Sequence, residues 1–364
     1  MSKLRFRRLE QHRTGGTSDR MELSVPMPKT PSGKIYNYSP NPEAAPRLFL
    51  IGNAPEVRSI AEARQHRIRR QPGPGETVCP YSGLIAPDED FIHFDDVEAV
   101  KKQVMWAARE DVGDYLDNWA RDFNRGQPKG GFVSVSMSVK RPHRARPFNI
   151  REDLLRDLEC DVCQRAYGVY AIALFCPDCG APNIALHFTR EVHLVKEQIA
   201  LADELEADSR RELAYRILGN AHEDVLTALE TALKTVFRHL VREQLPDDAE
   251  TLCSKKAIGN AFQNIDRGRG LFAKLGIDPF AGLVESDLGT LTLNIQKRHV
   301  IGHNLGCADE RYFDLTQDEK PGETVTLIGD EIAQFAQICL NLIAALEDHL
   351  LVKGNLRRLL GTGI

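Results

Sequence analysis

Cys160-Asp161-Val162-Cys163 is followed, after twelve residues, by Cys176-Pro177-Asp178-Cys179. Each Cys-x-x-Cys turn presents two sulfurs on one side of a tight knuckle. Four thiolates at about 2.3 Å complete a tetrahedral Zn2+ site, and the residues between the knuckles form a hairpin. Pro177 and Gly180 suit the turn of the second knuckle. All four ligand positions are then filled by protein, with none open for chemistry, so the expected zinc is structural. Disulfide pairing and a redox role are the rival readings of the same four residues.

Upstream, Cys79-Pro80-Tyr81-Ser82-Gly83 repeats half of this pattern with Ser82 where the second Cys belongs. It reads as a degenerate knuckle without metal, His93 being its one candidate helper. From 92 to 125, Val97, Val100, Val104, Ala108, Val112, Tyr115 and Trp119 recur at steps of three and four, which predicts an amphipathic helix. Gly130 and Gly131 break it. Alternation over 132–140 predicts a half-buried strand, and 167–175 and 183–188 are further strand candidates. The prolines at 26, 28, 31, 40, 42 and 46, with few apolar residues between them, predict a poorly ordered tail. Basic patches lie at 1–20, 58–70 and 140–146, and read either as solvated faces or as phosphate-contacting surface.

Downstream of about 191, proline thins out and helical periodicity takes over. Four segments carry apolar stripes: 209–245, 254–274, 286–305 and 330–353. Leu218, Val225, Leu229, Ala232, Val236 and Leu240 mark the first, Ile332, Phe335, Cys339, Leu342 and Leu346 the last. Four such helices bury their stripes best as an up-down bundle. The whole is therefore expected to be α+β. It divides into a poorly ordered tail (1–45), an α/β region with the degenerate knuckle (46–150), a zinc ribbon (151–190), a connecting helix (191–208) and a four-helix bundle (209–364). A chain of 364 residues, 42% hydrophobic and 27% charged, has ample material for such cores and is neither collagen-like, coiled-coil nor wholly disordered. The longest mostly apolar runs, 167–175 and 338–346, fall short of a membrane span, and no secretory signal precedes them, which predicts a cytoplasmic protein without a membrane partner. The net charge of −5 confines any nucleic-acid site to a local surface.

The third helical segment breaks its own pattern. Steps of four and three from Leu291 give Ile295, Arg298, Gly302 and Leu305, which places a guanidinium in an apolar seam. An unpaired charge in a core costs several kcal/mol, so Arg298 needs a carboxylate or a wet cleft. Glu223 and Glu230 on the first helix are candidate partners, or simply solvated. His299 and His303 lie a turn apart beside Arg298. Histidine titrates near neutrality and serves as base or acid, while arginine forks onto two phosphate oxygens. Such a set suits attack by an RNA 2′-hydroxyl on its own phosphate, with no metal required. A purely structural polar cluster is the alternative.

Arg298, four residues, then His303 resembles the R-x(4–6)-H signature of the HEPN superfamily of ribonucleases. The resemblance takes in His299 after the arginine, Asn304-Leu305-Gly306 after the histidine, and Asp309 and Tyr312 beyond. It covers about 209–352. It implies an RNA substrate, a homodimer through the bundle with the site at its interface, and a 2′,3′-cyclic phosphate product. Arg298 would clamp the scissile phosphate and His303 would act as acid–base, assisted by His299 or Asn304. Families of this kind are often RNA-cleaving toxins or phage-defence effectors, so a regulatory protein partner is a further expectation. The rival is a non-catalytic module whose ribbon binds nucleic acid or protein and whose bundle dimerises. The segment 308–331 carries eight acids against Arg311 and Lys320 and reads as pointing away from RNA or as a restraining lid.

Overall fold

The computed structural model describes residues 6–17, 20–53, 72–127, 135–140 and 156–360. It is α+β, with small antiparallel sheets and a C-terminal helical region. Strands β1 (Arg13–Gly16) and β2 (Met21–Leu23) pair with each other. Strands β3 (Ile35–Tyr38) and β4 (Leu48–Ile51) belong to a second sheet. Strands β5 (Glu76–Val78) and β6 (Ile85–Pro87) form a hairpin, and β7 (Arg156–Glu159) and β8 (Ala166–Val169) complete the second sheet in the order β3-β4-β8-β7. In it Phe49 faces Val169 and Ile51 faces Tyr167, all four buried.

This register corrects the expected tail over 1–45. The stretch supplies β1, β2 and β3 and buries Leu9, Tyr36 and Ala44. Backbone pairing with β4 satisfies groups that a proline-rich segment would otherwise leave to water. Two of the strand expectations also change. Residues 135–140 form no strand, 132–134 lying outside the described residues, and 183–188 opens a helix because Ile184, Phe188, Val192 and Val195 bury one helical face. Of the 167–175 candidate, only the first part is strand. The basic patch at 58–70 and most of that at 140–146 lie outside the described residues.

Helix α1 (Phe94–Gly126) occupies the expected stretch but buries a different face. Its buried residues are Asp96, Ala107, Asp111 and Ala120, whereas Val112 and Trp119 are exposed. The one-turn helix Arg7–Glu10 docks there because the Asp111 carboxylate accepts from Arg8 N at 2.9 Å and Arg8 Nη1 at 3.0 Å.

Helices α2 (Ile184–Ala207), α3 (Arg211–Gln244), α5 (Glu285–Asn304) and α7 (Gly329–Leu360) pack around one apolar core. A shorter helix, α4 (Ile265–Ala273), precedes α5, and α6 (Glu310–Thr316) follows it. The connecting helix expected over 191–208 is the later part of α2, which packs along α3 and α7 as a full member of the core. Helix α3 buries Val225, Leu229, Ala232, Val236 and Leu240. Each fully buried Val or Leu is worth about 1.5–3 kcal/mol. The helix expected over 254–274 is instead three short pieces, Lys255–Ile258, Ala261–Gln263 and α4. Gly259, at φ 41°, ends the first, and Asn264 caps the third by accepting from Arg267 N at 2.9 Å. Among the described residues, no helix is long and apolar enough to cross a membrane.

One polar pair sits inside this core. His222 Nε2 meets Asn294 Oδ1 at 2.9 Å, and Asn294 Nδ2 donates to Thr290 O. With both Asn294 groups so engaged, Nε2 is the donor to Asn294 Oδ1. Burial pushes the His222 pKa down to about 4, reinforced by the charges of Lys297 and Arg298 and opposed by the hydrogen bond. A histidine held neutral by the fold stabilises it fully above the ordinary value near 6.5, and the contribution drains away as pH falls toward about 4. Wild type should therefore lose about 2 kcal/mol between pH 7 and pH 5 that His222→Gln does not lose. Urea midpoints at the two pH values measure this, and equal pH dependence in both proteins would refute it.

Candidate functional site

Two constellations stand out, one of sulfur and one of positive charge. The four sulfurs of Cys160, Cys163, Cys176 and Cys179 all lie within 4.8 Å of one another and are buried, so the cluster can hold a metal ion. Cys160 and Cys179 sulfurs are 3.8 Å apart, Cys163 and Cys176 sulfurs 3.6 Å. The sulfurs are unbonded, so the disulfide reading receives no support. The backbone explains the convergence. Gln164 N donates to Cys160 O and Cys160 N to Arg165 O; Gly180 N donates to Cys176 O and Cys176 N to Ala181 O. Gln164 and Gly180 both take positive φ, 59° and 71°, so each turn folds back under its own sulfurs. Hydrogen bonds from Cys163, Cys176 and Cys179 draw the Cys160 thiol well below its ordinary value, while burial holds Cys176 well above it. Four buried sulfur donors, all within 4.8 Å of one another, fit a metal ion that takes thiolates.

The Cys79 turn has the same backbone. Gly83 N donates to Cys79 O, Cys79 N to Leu84 O, and Gly83 takes φ 73°. Tyr81 stands in for a metal as the brace: its hydroxyl donates to Leu48 O at 2.8 Å and accepts from Tyr170 N at 3.1 Å. Cys79 packs in the apolar cluster around the four cysteines, and it belongs to no metal-sized group among the described residues.

The second constellation lies along α5. A cleft of about 510 Å³ is lined by Arg298, His299 and His303, with Arg267 from α4 and Arg311 from α6. The His299 and His303 rings are 4.8 Å apart, centre to centre. Arg267 and Arg311 make no ion pair among the described residues. Arg298 Nε lies 3.7 Å from Glu223 Oε1, and Arg298 Nη1 lies 3.7 Å from Glu230 Oε2. Glu230 is itself bonded by Lys234 and by Gln263. Burial alone would raise the Glu230 pKa, but the hydrogen bonds from Gln263 and Lys234 with the charges of Lys234 and Arg298 hold it below the usual carboxylate range. Both carboxylates therefore stand beside the guanidinium at a distance longer than a hydrogen bond.

The expected apolar seam through Arg298 is corrected. The buried positions of α5 are Leu291, Asn294, Lys297 and Val300, and Leu305 is 91% exposed. Steps of three, rather than four and three, track the core here because α5 leans on α3 and α7 together. The cation that enters the interior is Lys297, whose Nζ donates to Thr326 O at 3.0 Å. Arg298 lies on the flank, which is how it reaches the cleft. Of the four expected site residues, Arg298, His299 and His303 line the cleft and Asn304 does not. Asn304 Nδ2 donates to Asp309 Oδ2 at 3.0 Å, and Asp309 caps α6 through Tyr312 N. Asn304 thus ties the end of α5 to α6. From the acidic segment 308–331 only Arg311 enters the lining, so its carboxylates do not line the cleft. Arg267 and Arg311 escaped the sequence reading, since one sits among scattered glycines and the other inside an acid-rich run. Cys339 is buried in the α7 stripe, as its spacing predicts, and Cys307 is exposed.

Comparison with protein-family models, with curated proteins and with solved structures finds no match for this chain.

The cysteine geometry generates one prediction. Protein purified without chelator should carry about one metal equivalent per chain, and Cys163→Ser should lose it and melt at least roughly 5 °C lower. Elemental analysis with thermal denaturation checks both, and a metal-free wild type of unchanged melting temperature would contradict the assignment.

Proposed function

We propose that the chain is a metal-independent endoribonuclease of the HEPN type, acting on RNA as a homodimer through its helical region. The observation that carries this is the convergence of Arg298, His299 and His303, with Arg267 and Arg311, on one open cleft. Three guanidiniums offer a phosphodiester what it needs: bidentate donors and fixed positive charge where the phosphorane develops. Two imidazoles a turn apart supply the proton traffic.

In the reaction, His303 takes the proton of the RNA 2′-hydroxyl as that oxygen bonds to phosphorus. The 5′-oxygen of the next nucleotide leaves, taking a proton from a protonated imidazole, for which His299 is placed. Arg298 holds the non-bridging oxygens. The products are a 2′,3′-cyclic phosphate and a free 5′-hydroxyl. Asn304, bonded to Asp309, positions the end of α5 and does not touch the phosphate. The four cysteines would hold a structural Zn2+ in a ribbon, consistent with an all-sulfur donor set, and that ion takes no part in the step. A nuclease of this kind fits a toxin or phage-defence effector restrained by a regulatory protein partner until needed.

A second reading, a non-catalytic binding and dimerisation module, is favoured by the two carboxylates within 3.7 Å of Arg298. In that reading the guanidinium belongs to Glu223 and Glu230 and never meets a phosphate.

Wild type, Arg298→Ala and His303→Ala should be incubated with total RNA without added divalent cation. Each substitution should slow cutting about a hundredfold or more at unchanged circular dichroism, and the wild-type products should end in 2′,3′-cyclic phosphate. RNA left intact by the wild-type homodimer favours the module, and cutting undiminished in both variants rejects the mechanism.

A further inference from the structure

The cleft does not end at Arg298. A second hollow of about 350 Å³ continues from it along α5 toward the start of that helix, and the two share Gln263, Asn264, Ile295 and Gln296 as common walls. The chemistry changes on crossing that wall. The first hollow carries three guanidiniums, Arg267, Arg298 and Arg311, against two carboxylates, Glu223 and Glu230, both already beside Arg298. The second carries Asp266 and Glu285, neither with an ion-pair partner among the described residues. Its one cation, Arg269, is already engaged with Asp278 at 3.3 Å and lies over the Phe280 ring. A phosphate is repelled from such a place. A nucleobase is not: Leu288 and Ile295 offer apolar surface, Gln296 makes no hydrogen bond among the described residues, and carboxylates accept from exocyclic amino groups.

We infer that this second hollow is a base-recognition subsite that holds one unpaired nucleobase bearing an exocyclic amino group, adenine, cytosine or guanine, in preference to uracil. The inference rests on the reading of the first hollow as an RNA phosphate site. The lengths agree. From Arg298 to Gly289 is nine residues of helix, roughly 14 Å, which leaves room for a base beside a phosphate held at Arg298. The ligand is a single strand, because bases in an A-form duplex are not accessible to side chains from the deep groove, whereas unpaired bases splay out.

Two glycines make the test clean. A Cβ placed at Gly289 or at Gly302 meets no atom within 4 Å, so a larger side chain at either fills space in front of the helix instead of disturbing its packing. Gly289 lines the second hollow and Gly302 the first. Replacing a helical glycine also favours the helix.

The full-length protein is titrated with fluorescent RNA hexamers of A, of C and of U, each carrying 2′-O-methyl groups so that no strand is cut, and binding is read by anisotropy. Wild type should hold the A and C strands about tenfold more tightly than the U strand. Gly289→Leu should bring all three to the U level, and Gln296→Ala should shrink the preference without abolishing binding. Gly302→Leu should weaken all three alike. Equal affinity for the three strands, tighter binding of U, or a preference that survives Gly289→Leu in a folded variant overturns the subsite while leaving the phosphate site standing. Failure to bind any strand overturns both. The expected preference in a wild-type protein that leaves unmodified RNA uncut supports the subsite and removes the nuclease reading alone.

Discussion

Helix α3 must bury one face completely while keeping a charged flank in reach of α5, and the cleft follows from that double demand. Its apolar stripe, from Val225 through Leu240, packs against α2, α5 and α7. That burial fixes the rotation of the helix, because turning it would expose Leu and Phe side chains worth about 1.5–3 kcal/mol each. Glu223 and Glu230 are seven residues apart, two turns, so the same rotation brings both to the flank that faces Arg298. The charge pattern of the cleft is thus set by packing decided elsewhere on the helix.

How strongly those carboxylates hold Arg298 decides whether a phosphate can replace them. Glu223 has a side chain 47% exposed, and ion pairs of that kind are worth little. Glu230 is more enclosed, and stripping the partner from an enclosed carboxylate is expensive. Here it is not stripped, because Lys234 and Gln263 remain bonded to it after Arg298 swings away. Under the proposed reading, an arriving phosphate would therefore gain a fork from Arg298 without leaving a charge orphaned behind it. The same arrangement keeps the guanidinium in place when the cleft is empty of anion, which spares the side chain part of its ordering entropy on binding.

The parts legible in the sequence are those governed by a fixed period or a fixed spacing. The Cys-x-x-Cys pairs announce their own turns, the long stripe of α3 marks that helix to within a few residues, and that of α7 marks its start, the helix running seven residues past the expected end at 353. The histidine pair was legible as a shared surface, since His299 and His303 are four positions apart, one turn, with Arg298 adjacent to the first. What failed needed information from a partner element. The buried face of α1 carries Asp111, which no hydropathy pattern would place inward, because its burial depends on hydrogen bonds from Arg8 and Leu9 about a hundred residues away. The strands of the first 45 residues are short, and only pairing makes them strands, β1 with β2 and β3 with β4. Lys297 reads as a surface residue until Thr326 O is seen beneath it. Arg267 and Arg311 reach the cleft from two other helices, and their convergence is purely tertiary.

The sulfur cluster and the cleft are linked through α2 and α3. The second knuckle runs directly into α2: Asn183, the residue before that helix, is held by the Tyr167 hydroxyl at 3.1 Å and approached by the Cys160 sulfur. The exposed amides of the helix start are then met by Glu347 of α7, whose carboxylate accepts from Ala185 N at 2.8 Å, a negative charge where the helix dipole favours one. Arg156, on the β7 strand that leads into the first knuckle, is paired with Glu191 of α2 and bonds His187 at 2.7 Å. The knuckles therefore set where α2 begins and how it is oriented, α2 packs along α3, and α3 carries the acids beside Arg298. A metal at the cysteines would act on the cleft by fixing this register. The Cys79 knuckle shows the alternative economy: the same turn is kept with a tyrosine hydroxyl as its brace.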